Sequence, residues 1–156
     1  MVLEYCDGGN LLTYQSKLKN KVFPIAEAID IVVDVLKGLK VIHESNYIHR
    51  DIKSENVLIK MTNTAKGRIF KIADFGFARP IKSGSAHTVC GTEKYMAPEI
   101  LENTPYNISV DIWAVGILLY FMLFAEYPFK GLDILNDIKR KCSGVGFNVR
   151  EVVLKK

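Results

Sequence analysis

The chain has 156 residues, of which 49% are hydrophobic and 24% are charged, and its formal net charge is +4. This composition is typical of a globular domain and argues against a disordered tail. Because the lysines are scattered along the sequence, a solvated surface explains the positive charge better than a nucleic-acid interface does. The cysteines Cys6, Cys90 and Cys142 are far apart and form no CxxC pair, which argues against a disulfide framework or a zinc site.

The sequence carries no signal for secretion and none for a membrane span. Its beginning, MVLEYCDGGN, lacks the basic and then apolar segments of a secretory signal. The longest apolar run, Ile112 to Ala125, is shorter than the roughly 20 residues that cross a bilayer, and Asp111 and Glu126 flank it. We therefore expect a cytoplasmic protein in which this run is a buried helix.

The first third of the chain predicts a strand end followed by two helices. Val2 to Tyr5 has the pattern of a strand, which the turn residues Asp7 to Asn10 end. A short helix is predicted for Leu11 to Leu18, and Pro24 opens a long helical pattern that ends near Ser45 and Asn46. Apolar residues cover most of the circumference of the long helix, so we expect it to lie inside the protein.

The remaining chain predicts a hairpin, a long irregular segment and two more helices. The β-rich runs Val57 to Lys60 and Arg68 to Ala73 are joined by a polar link that contains Gly67. The segment from Asp74 to about Pro98 is rich in Gly, Ser and Thr, and loops of that length are usually functional or disordered. The predicted helices cover residues 112–124 and 132–141.

A polar stretch, HRDIKSEN from His49 to Asn56, precedes the first strand of the hairpin. By itself it could be a solvated connector between a helix and a strand. Three short motifs follow it in order: DFG at Asp74–Gly76, APE at Ala97–Glu99 and DIWAVG at Asp111–Gly116. Each motif alone is weakly specific, whereas the ordered set is strongly specific.

This ordered set resembles the catalytic and activation-segment motifs of eukaryotic protein kinases, and the resemblance extends to about Lys141. It implies an α+β, protein-kinase-like fold that is mainly the helical C-terminal lobe with a small β-hairpin, the N-terminal lobe being largely absent. Residues 1–10 would be the end of the small lobe and the hinge. Residues 11–156 would be the large lobe, incomplete at its C-terminal end, as in a fragmentary gene model.

The resemblance implies that the chain transfers the γ-phosphoryl group of ATP to Ser or Thr hydroxyls of protein substrates. Phosphoryl transfer depends on positioning and charge neutralisation. Asp51 would be the base that accepts the substrate proton, Lys53 would face the transferred group, and Thr92 would hydrogen-bond both. Lys53 in HRDxK resembles the serine/threonine branch. For Thr92, a purely structural turn is the alternative.

The implied cofactor set is ATP with Mg²⁺, and hard oxygen ligands suit this cation. The resemblance assigns the metal to Asn56 and Asp74, although Asn56 could also be a turn residue bonded to its own backbone. The ATP-binding residues implied by EYCDGGNL and the first strand of the hairpin are Glu4 and Cys6 at the adenine edge, Asn10 near the ribose and Leu58 beneath the base. Leu58 could equally be a core residue of its strand.

The sequence contains no GxGxxG motif to cover the phosphates and no strand lysine of the small lobe. Phe75 of the DFG motif would then face water or rearrange. A second function therefore stays open, that of a catalytically inactive large lobe that acts as a binding module. The stretches EYCDGGNL and KIADFGFAR resemble autophagy-initiating kinases, and calcium/calmodulin-dependent kinases share much of them.

The segment from DFG to APE, residues 74–99, is called the activation segment below. The resemblance implies that an upstream kinase phosphorylates Thr88 in it and that Arg50 of the HRD motif pairs with the phosphate. Arg79 would be a second cation. The alternative is that Thr88, Ser83 and Ser85 are only solvated. Glu99 is expected to pair with an arginine, for which Arg150 is a weak candidate, and the histidines His43 and His87 are expected to be structural or surface residues.

Overall fold

The computed structural model describes residues 3–81, 86 and 88–142. Its helices are α1 Leu11–Ser16, α2 Ile25–Glu44, α3 Pro98–Leu101, α4 Ser109–Phe124 and α5 Ile134–Arg140. Its strands are β1 Tyr47–Ile48, β2 Val57–Met61, β3 Arg68–Ile72 and β4 Arg79–Pro80. The result is an α+β fold, in agreement with the sequence. Short 3₁₀ turns cover Lys19–Lys21, Ser54–Asn56 and Glu93–Tyr95.

The long helix α2 begins and ends where the sequence predicts, but only one of its faces is buried. Pro24 is the N-cap, and Asn46 adopts the left-handed conformation (φ 58°) just beyond the end of the helix. The buried residues Ala28, Ile31, Val35 and Leu39 belong to the face that contacts β3 and α4. Because these contacts occupy one side of the helix, other apolar residues stay exposed, including Ile25 at 65% and Ile29 at 53%. The expectation that the helix lies inside the protein was therefore wrong for half of its surface.

The predicted hairpin forms between β2 and β3, which are antiparallel with Val57 opposite Ile72 and Ile59 opposite Phe70. The side chains of Val57, Ile59 and Phe70 are buried, and β3 contacts α2. The hairpin is therefore fixed by the burial of one face, as alternating strands usually are.

The strand predicted to end at Tyr5 is not seen, because Leu3 to Cys6 have no regular structure. A strand needs a neighbour for its backbone hydrogen bonds, and these bonds to β2 begin only at the turn. There Gly8 N donates to Ile59 O (2.9 Å), and Ile59 N donates to Gly9 O (2.9 Å).

The helix α4 contains the long apolar run and is the centre of the core, as predicted. Ile117, Leu118 and Met122 lie in a large hydrophobic cluster with α2 and the hairpin. A smaller cluster surrounds Val110 at the start of α4, and Trp113 packs against both clusters. Among the described residues, no helix is both long and apolar enough to cross a membrane.

The strands β1 and β4 form a second, two-stranded sheet in which Ile48 pairs with Arg79. This sheet brings the residues just before HRD beside those just after DFG. Corresponding residues of the two motifs are 25 positions apart in the sequence. This pairing and the β2–β3 hairpin together bring the motifs close in space.

Candidate active site

The loop that carries the HRD motif is held by a carboxylate from α4. Asp111, which is 1% exposed, accepts hydrogen bonds from the backbone N–H groups of His49 (2.9 Å) and Arg50 (2.8 Å). Its Oδ2 also lies 2.7 Å from Nε2 of His43 on α2. Because Arg50 has a left-handed backbone (φ 70°), these bonds hold a conformation that a non-glycine residue disfavours.

Asp51 is the centre of the site and is only 3% exposed. Its Oδ2 lies 2.7 Å from Lys53 Nζ, and its Oδ1 accepts a hydrogen bond from Thr92 Oγ1 (3.0 Å). Lys53 Nζ also donates to Thr92 Oγ1 (2.9 Å). Asp51, Lys53 and Thr92, which the sequence predicted to act together, thus form one hydrogen-bonded triangle.

The surroundings of Asp51 keep it ionised. Burial alone would raise the pKa of this carboxyl, but hydrogen bonds from Lys53 and Thr92, and the positive charge of Lys53, outweigh burial and lower the pKa. Asn56 Nδ2 adds a further hydrogen bond to Oδ2 (2.8 Å). An ionised, oriented carboxylate of this kind can accept a proton from a hydroxyl group placed beside it.

A glycine allows the activation segment to approach this loop. Gly91 has φ +106°, and a Cβ at this position would lie 2.5 Å from Arg50 O. Only glycine fits such a close approach in that backbone conformation. The next residue, Thr92, can therefore reach Asp51.

The two predicted metal ligands are brought together at the end of the hairpin. Ala73 N donates a hydrogen bond to Asn56 O (2.8 Å). Because Asp74 is the next residue after Ala73, this bond keeps the backbone of Asp74 close to Asn56. The amide of Asn56 is held through Nδ2, which donates to Asp51 O (2.9 Å) and Oδ2. Among the described residues nothing donates to Asn56 Oδ1, and Asp74 accepts only at Oδ1, from Gly76 N (3.1 Å).

These free oxygens fit a hard cation that completes its shell with phosphate oxygens and water. The structure describes no group of three or more His, Cys, Asp or Glu side chains that could hold a metal by themselves. An amide oxygen and a single carboxylate therefore suit Mg²⁺ bound together with a nucleotide better than a metal site made by the protein alone.

His49 is buried in a neutral form beneath the loop. Burial is the main cause that lowers its pKa, and the charge of Asp111 opposes it. The ring lies between Ala73 O, 3.2 Å from Nε2, and Asp51 N, which donates to Nδ1 (3.3 Å). The Phe75 ring, half exposed as expected, lies edge-on to it with ring centroids 5.3 Å apart.

The predicted nucleotide-binding residues lie in or beside the hairpin of β2 and β3. Asn10 and Leu58 face each other in an antiparallel bridge, which brings the expected ribose and base contacts together. The Asn10 side chain accepts from Thr13 N (2.8 Å) and caps α1, while Leu58 is half-buried in β2. Glu4 pairs its side chain with Lys71 (2.6 Å), which leaves its backbone as the predicted contact, and Cys6 is half-buried nearby in sequence.

Of the predicted regulatory residues, Arg79 contacts Thr88 directly, whereas Arg50 has other partners. Arg79 Nη1 donates to Thr88 Oγ1 (2.8 Å), so this pair is already in contact. Arg50 instead donates to Phe77 O (2.7 Å) and to the hydroxyl of Tyr106 (3.0 Å). Ser83, Ser85, His87 and Arg150 lie outside the described residues. Glu99 accepts a long hydrogen bond from Ser109 Oγ (3.4 Å).

Sequence reasoning missed the contacts of Asp111 and Tyr106. It expected His43 to be a structural or surface residue, but it did not identify Asp111 as its partner. Asp111 was recognised as the start of the DIWAVG motif, but its partners are backbone groups more than 60 positions away. A buried acidic residue in an otherwise apolar helix was the signal that could have revealed it, since such a charge needs partners. For Tyr106 the sequence gives no comparable signal.

Comparison with known proteins agrees with this geometry. Residues 1–152 match the protein kinase domain family. The chain is 39% identical over 146 residues to serine/threonine-protein kinase Nek3 of Mus musculus. The aligned region covers 92% of this chain and 28% of that protein. It is 40% identical over 144 residues to serine/threonine-protein kinase ATG1c of Arabidopsis thaliana (90% of this chain, 19% of that protein).

Serine/threonine-protein kinase DCLK3 of Mus musculus is similar to the same degree, with 41% identity over 134 residues (83% of this chain, 16% of that protein). The chain thus spans less than a third of the length of these curated relatives. Because three different kinds of kinase match at nearly equal identity, the similarity supports the family and not one subgroup. The chain belongs to the protein kinase domain family, among the serine/threonine protein kinases.

Proposed function

We propose that this chain transfers the γ-phosphoryl group of ATP to Ser or Thr hydroxyls of protein substrates, using Asp51 as the base. The observation that carries the proposal is the triangle formed by Asp51, Lys53 and Thr92, because it holds one ionised carboxylate beside one cation. Family membership supports the same chemistry. The assignment of ATP and Mg²⁺ to particular residues is part of the proposal.

In this proposal, Asp51 accepts the proton of the substrate hydroxyl as its oxygen attacks the phosphoryl group. Lys53 keeps the Asp51 carboxylate ionised and offers positive charge to the transferred group. Thr92 fixes the relative positions of the two side chains, since it accepts a hydrogen bond from Lys53 and donates one to Asp51. The chemistry therefore depends on orientation more than on covalent steps.

Asn56 and Asp74 would hold Mg²⁺ through the oxygens that the described hydrogen bonds leave free. When bound, this cation would neutralise charge on the phosphate oxygens. Leu58 and Asn10, with the backbone of Glu4 and Cys6, would bind the nucleoside part of ATP. We further propose a cytoplasmic location and an upstream kinase that acts on Thr88.

The proposal is tested with the purified chain, Mg²⁺-ATP labelled at the γ-phosphate, and a library of Ser- and Thr-containing peptides. We expect incorporation of label into peptides and a loss of about 10²–10⁴-fold in kcat for Asp51→Asn, the range typical of a general base. Asp30→Asn is the matched control, because Asp30 is an exposed carboxylate on α2 that pairs with Lys66 (3.5 Å).

The proposal fails for this chain if the folded protein shows no transfer at saturating Mg²⁺-ATP, or if Asp51→Asn and Asp30→Asn retain the same activity. Circular dichroism and a cooperative unfolding transition establish that each variant is folded. Absence of transfer in a folded chain would favour the binding module, for which peptide binding without turnover is the expected behaviour.

A further inference from the structure

Tyr106 lies between α3 and α4, outside the motifs that predicted the site. Its side chain is buried, with 4% exposure, in the smaller hydrophobic cluster together with Ala86 of the activation segment. The two backbones pair directly: Ala86 N donates to Tyr106 O (2.8 Å), and Tyr106 N donates to Ala86 O (3.0 Å). At this point the activation segment is attached to the body of the protein.

The hydroxyl of Tyr106 extends this attachment to Arg50 of the HRD loop. It donates a hydrogen bond to Thr88 O (2.7 Å) and accepts one from Arg50 Nη1 (3.0 Å). The same guanidinium donates from Nε to Phe77 O (2.7 Å). One hydrogen-bonded series therefore joins the early part of the activation segment to its later part through Arg50 and Tyr106.

The position of Thr88 bears on the active site because Thr92 is only four residues further along. Four residues span at most roughly 14 Å, so a shift of the Thr88 backbone must be taken up within a short stretch of chain. That stretch contains Gly91, which is in close approach to Arg50 O, and Thr92, which is bonded to Asp51. Fixing Thr88 O thus helps to fix the hydroxyl that orients the base.

We propose that Tyr106 is a positioning residue, whose hydroxyl holds the activation segment against Arg50 before Thr88 carries any phosphate. Its effect on phosphoryl transfer rests on the proposed function, whereas its effect on the segment does not. Tyr106 binds the carbonyl of Thr88, and Arg79 binds the hydroxyl of the same residue. Because the two bonds use different atoms, a phosphate on Thr88 would add to the Tyr106 contact without replacing it.

The test is Tyr106→Phe, which keeps the buried ring and removes only the hydroxyl. Cys90, half-buried and two residues after Thr88, reports on the segment through its rate of alkylation by iodoacetamide, measured by peptide mass spectrometry. We expect this rate to rise about fivefold, the factor that loss of one net hydrogen bond gives. Cys6 and Cys142 in the same sample should keep their rates, and Tyr47→Phe, at an exposed tyrosine of β1, should change none of the three.

Equal Cys90 rates in the wild type and Tyr106→Phe would overturn the proposal. A parallel rise at all three cysteines would also overturn it, since that pattern indicates general loosening. The Cys90 rate is measured without ATP or substrate, so a folded chain that shows no transfer still tests the role of Tyr106. In an active chain, Tyr106→Phe should lower kcat about fivefold with little change in the KM for ATP.

Discussion

At the scale of single residues, the site combines two buried titratable groups, of which Asp51 is ionised and His49 is neutral. Lys53 and Thr92 outweigh burial and lower the pKa of Asp51, which therefore stays ionised. Burial lowers the pKa of His49, which therefore stays neutral. Neutral His49 accepts a hydrogen bond from Asp51 N and thereby supports the loop without adding charge beside the Asp51 carboxylate. In the proposed function, Asp51 therefore has the chemical role and His49 a structural one.

The low pKa of His49 predicts a loss of stability in mild acid. An unfolded histidine takes up a proton near pH 6.5, whereas folded His49 stays neutral to lower pH, so the unfolded state binds more protons in that window. The free energy of unfolding should therefore fall as the pH drops below about 6.5, by at most about 1.4 kcal/mol per pH unit for this one group.

Urea unfolding of wild type and His49→Asn between pH 7 and pH 5 measures this contribution. The wild type should show the steeper decline, because asparagine does not titrate. The variant is expected to be less stable at every pH, so only the slopes are compared. Parallel slopes would show that His49 is not the group responsible.

At the scale of elements, the sequence predicted structure well where local pattern decides it. The hairpin of β2 and β3, the end of α2 near Asn46 and the apolar helix α4 follow from alternation, turn residues and hydrophobic content. The exposed face of α2 could not be predicted, since its apolar residues look the same whether or not another element covers them. The contact between Asp111 and the HRD loop was equally invisible, because it depends on the packing of α4 beside that loop.

Gly91→Ala tests the contact between the activation segment and the HRD loop. The new Cβ would lie 2.5 Å from Arg50 O, a backbone atom that moves only with its loop. We expect strain and overpacking to lower the free energy of unfolding by about 2 kcal/mol or more. In activity assays, kcat should fall by a larger factor than KM rises.

Gly131→Ala is the matched control for this variant. Gly131 also has a left-handed backbone (φ +118°), but a Cβ there would meet no atom within 4 Å. Both variants therefore carry conformational strain, and only Gly91→Ala carries the clash. Equal losses of stability and no loss of activity in Gly91→Ala would contradict the close approach seen in the structure.

At the scale of the whole molecule, Asp111 is the point at which three distant parts of the chain meet. Asp111 lies in the first turn of α4. It accepts hydrogen bonds from two backbone N–H groups of the HRD loop and contacts His43 near the end of α2. A carboxylate suits this position because it can only accept hydrogen bonds, and all three neighbours can donate. The HRD loop is therefore attached to the same helix that forms the centre of the core.

Asp111→Asn should weaken this attachment more than its small change in shape suggests. The amide NH₂ of asparagine would have to face at least one N–H donor, which leaves buried donors without an acceptor. Unsatisfied buried groups of this kind cost about 1–3 kcal/mol each, so we expect a loss of roughly 3 kcal/mol in the free energy of unfolding in urea. Asp133→Asn is the control, since Asp133 accepts from Asn136 N (3.0 Å) at an exposed helix start. If the two variants lose equal stability, the three contacts of Asp111 contribute no more than an ordinary helix cap.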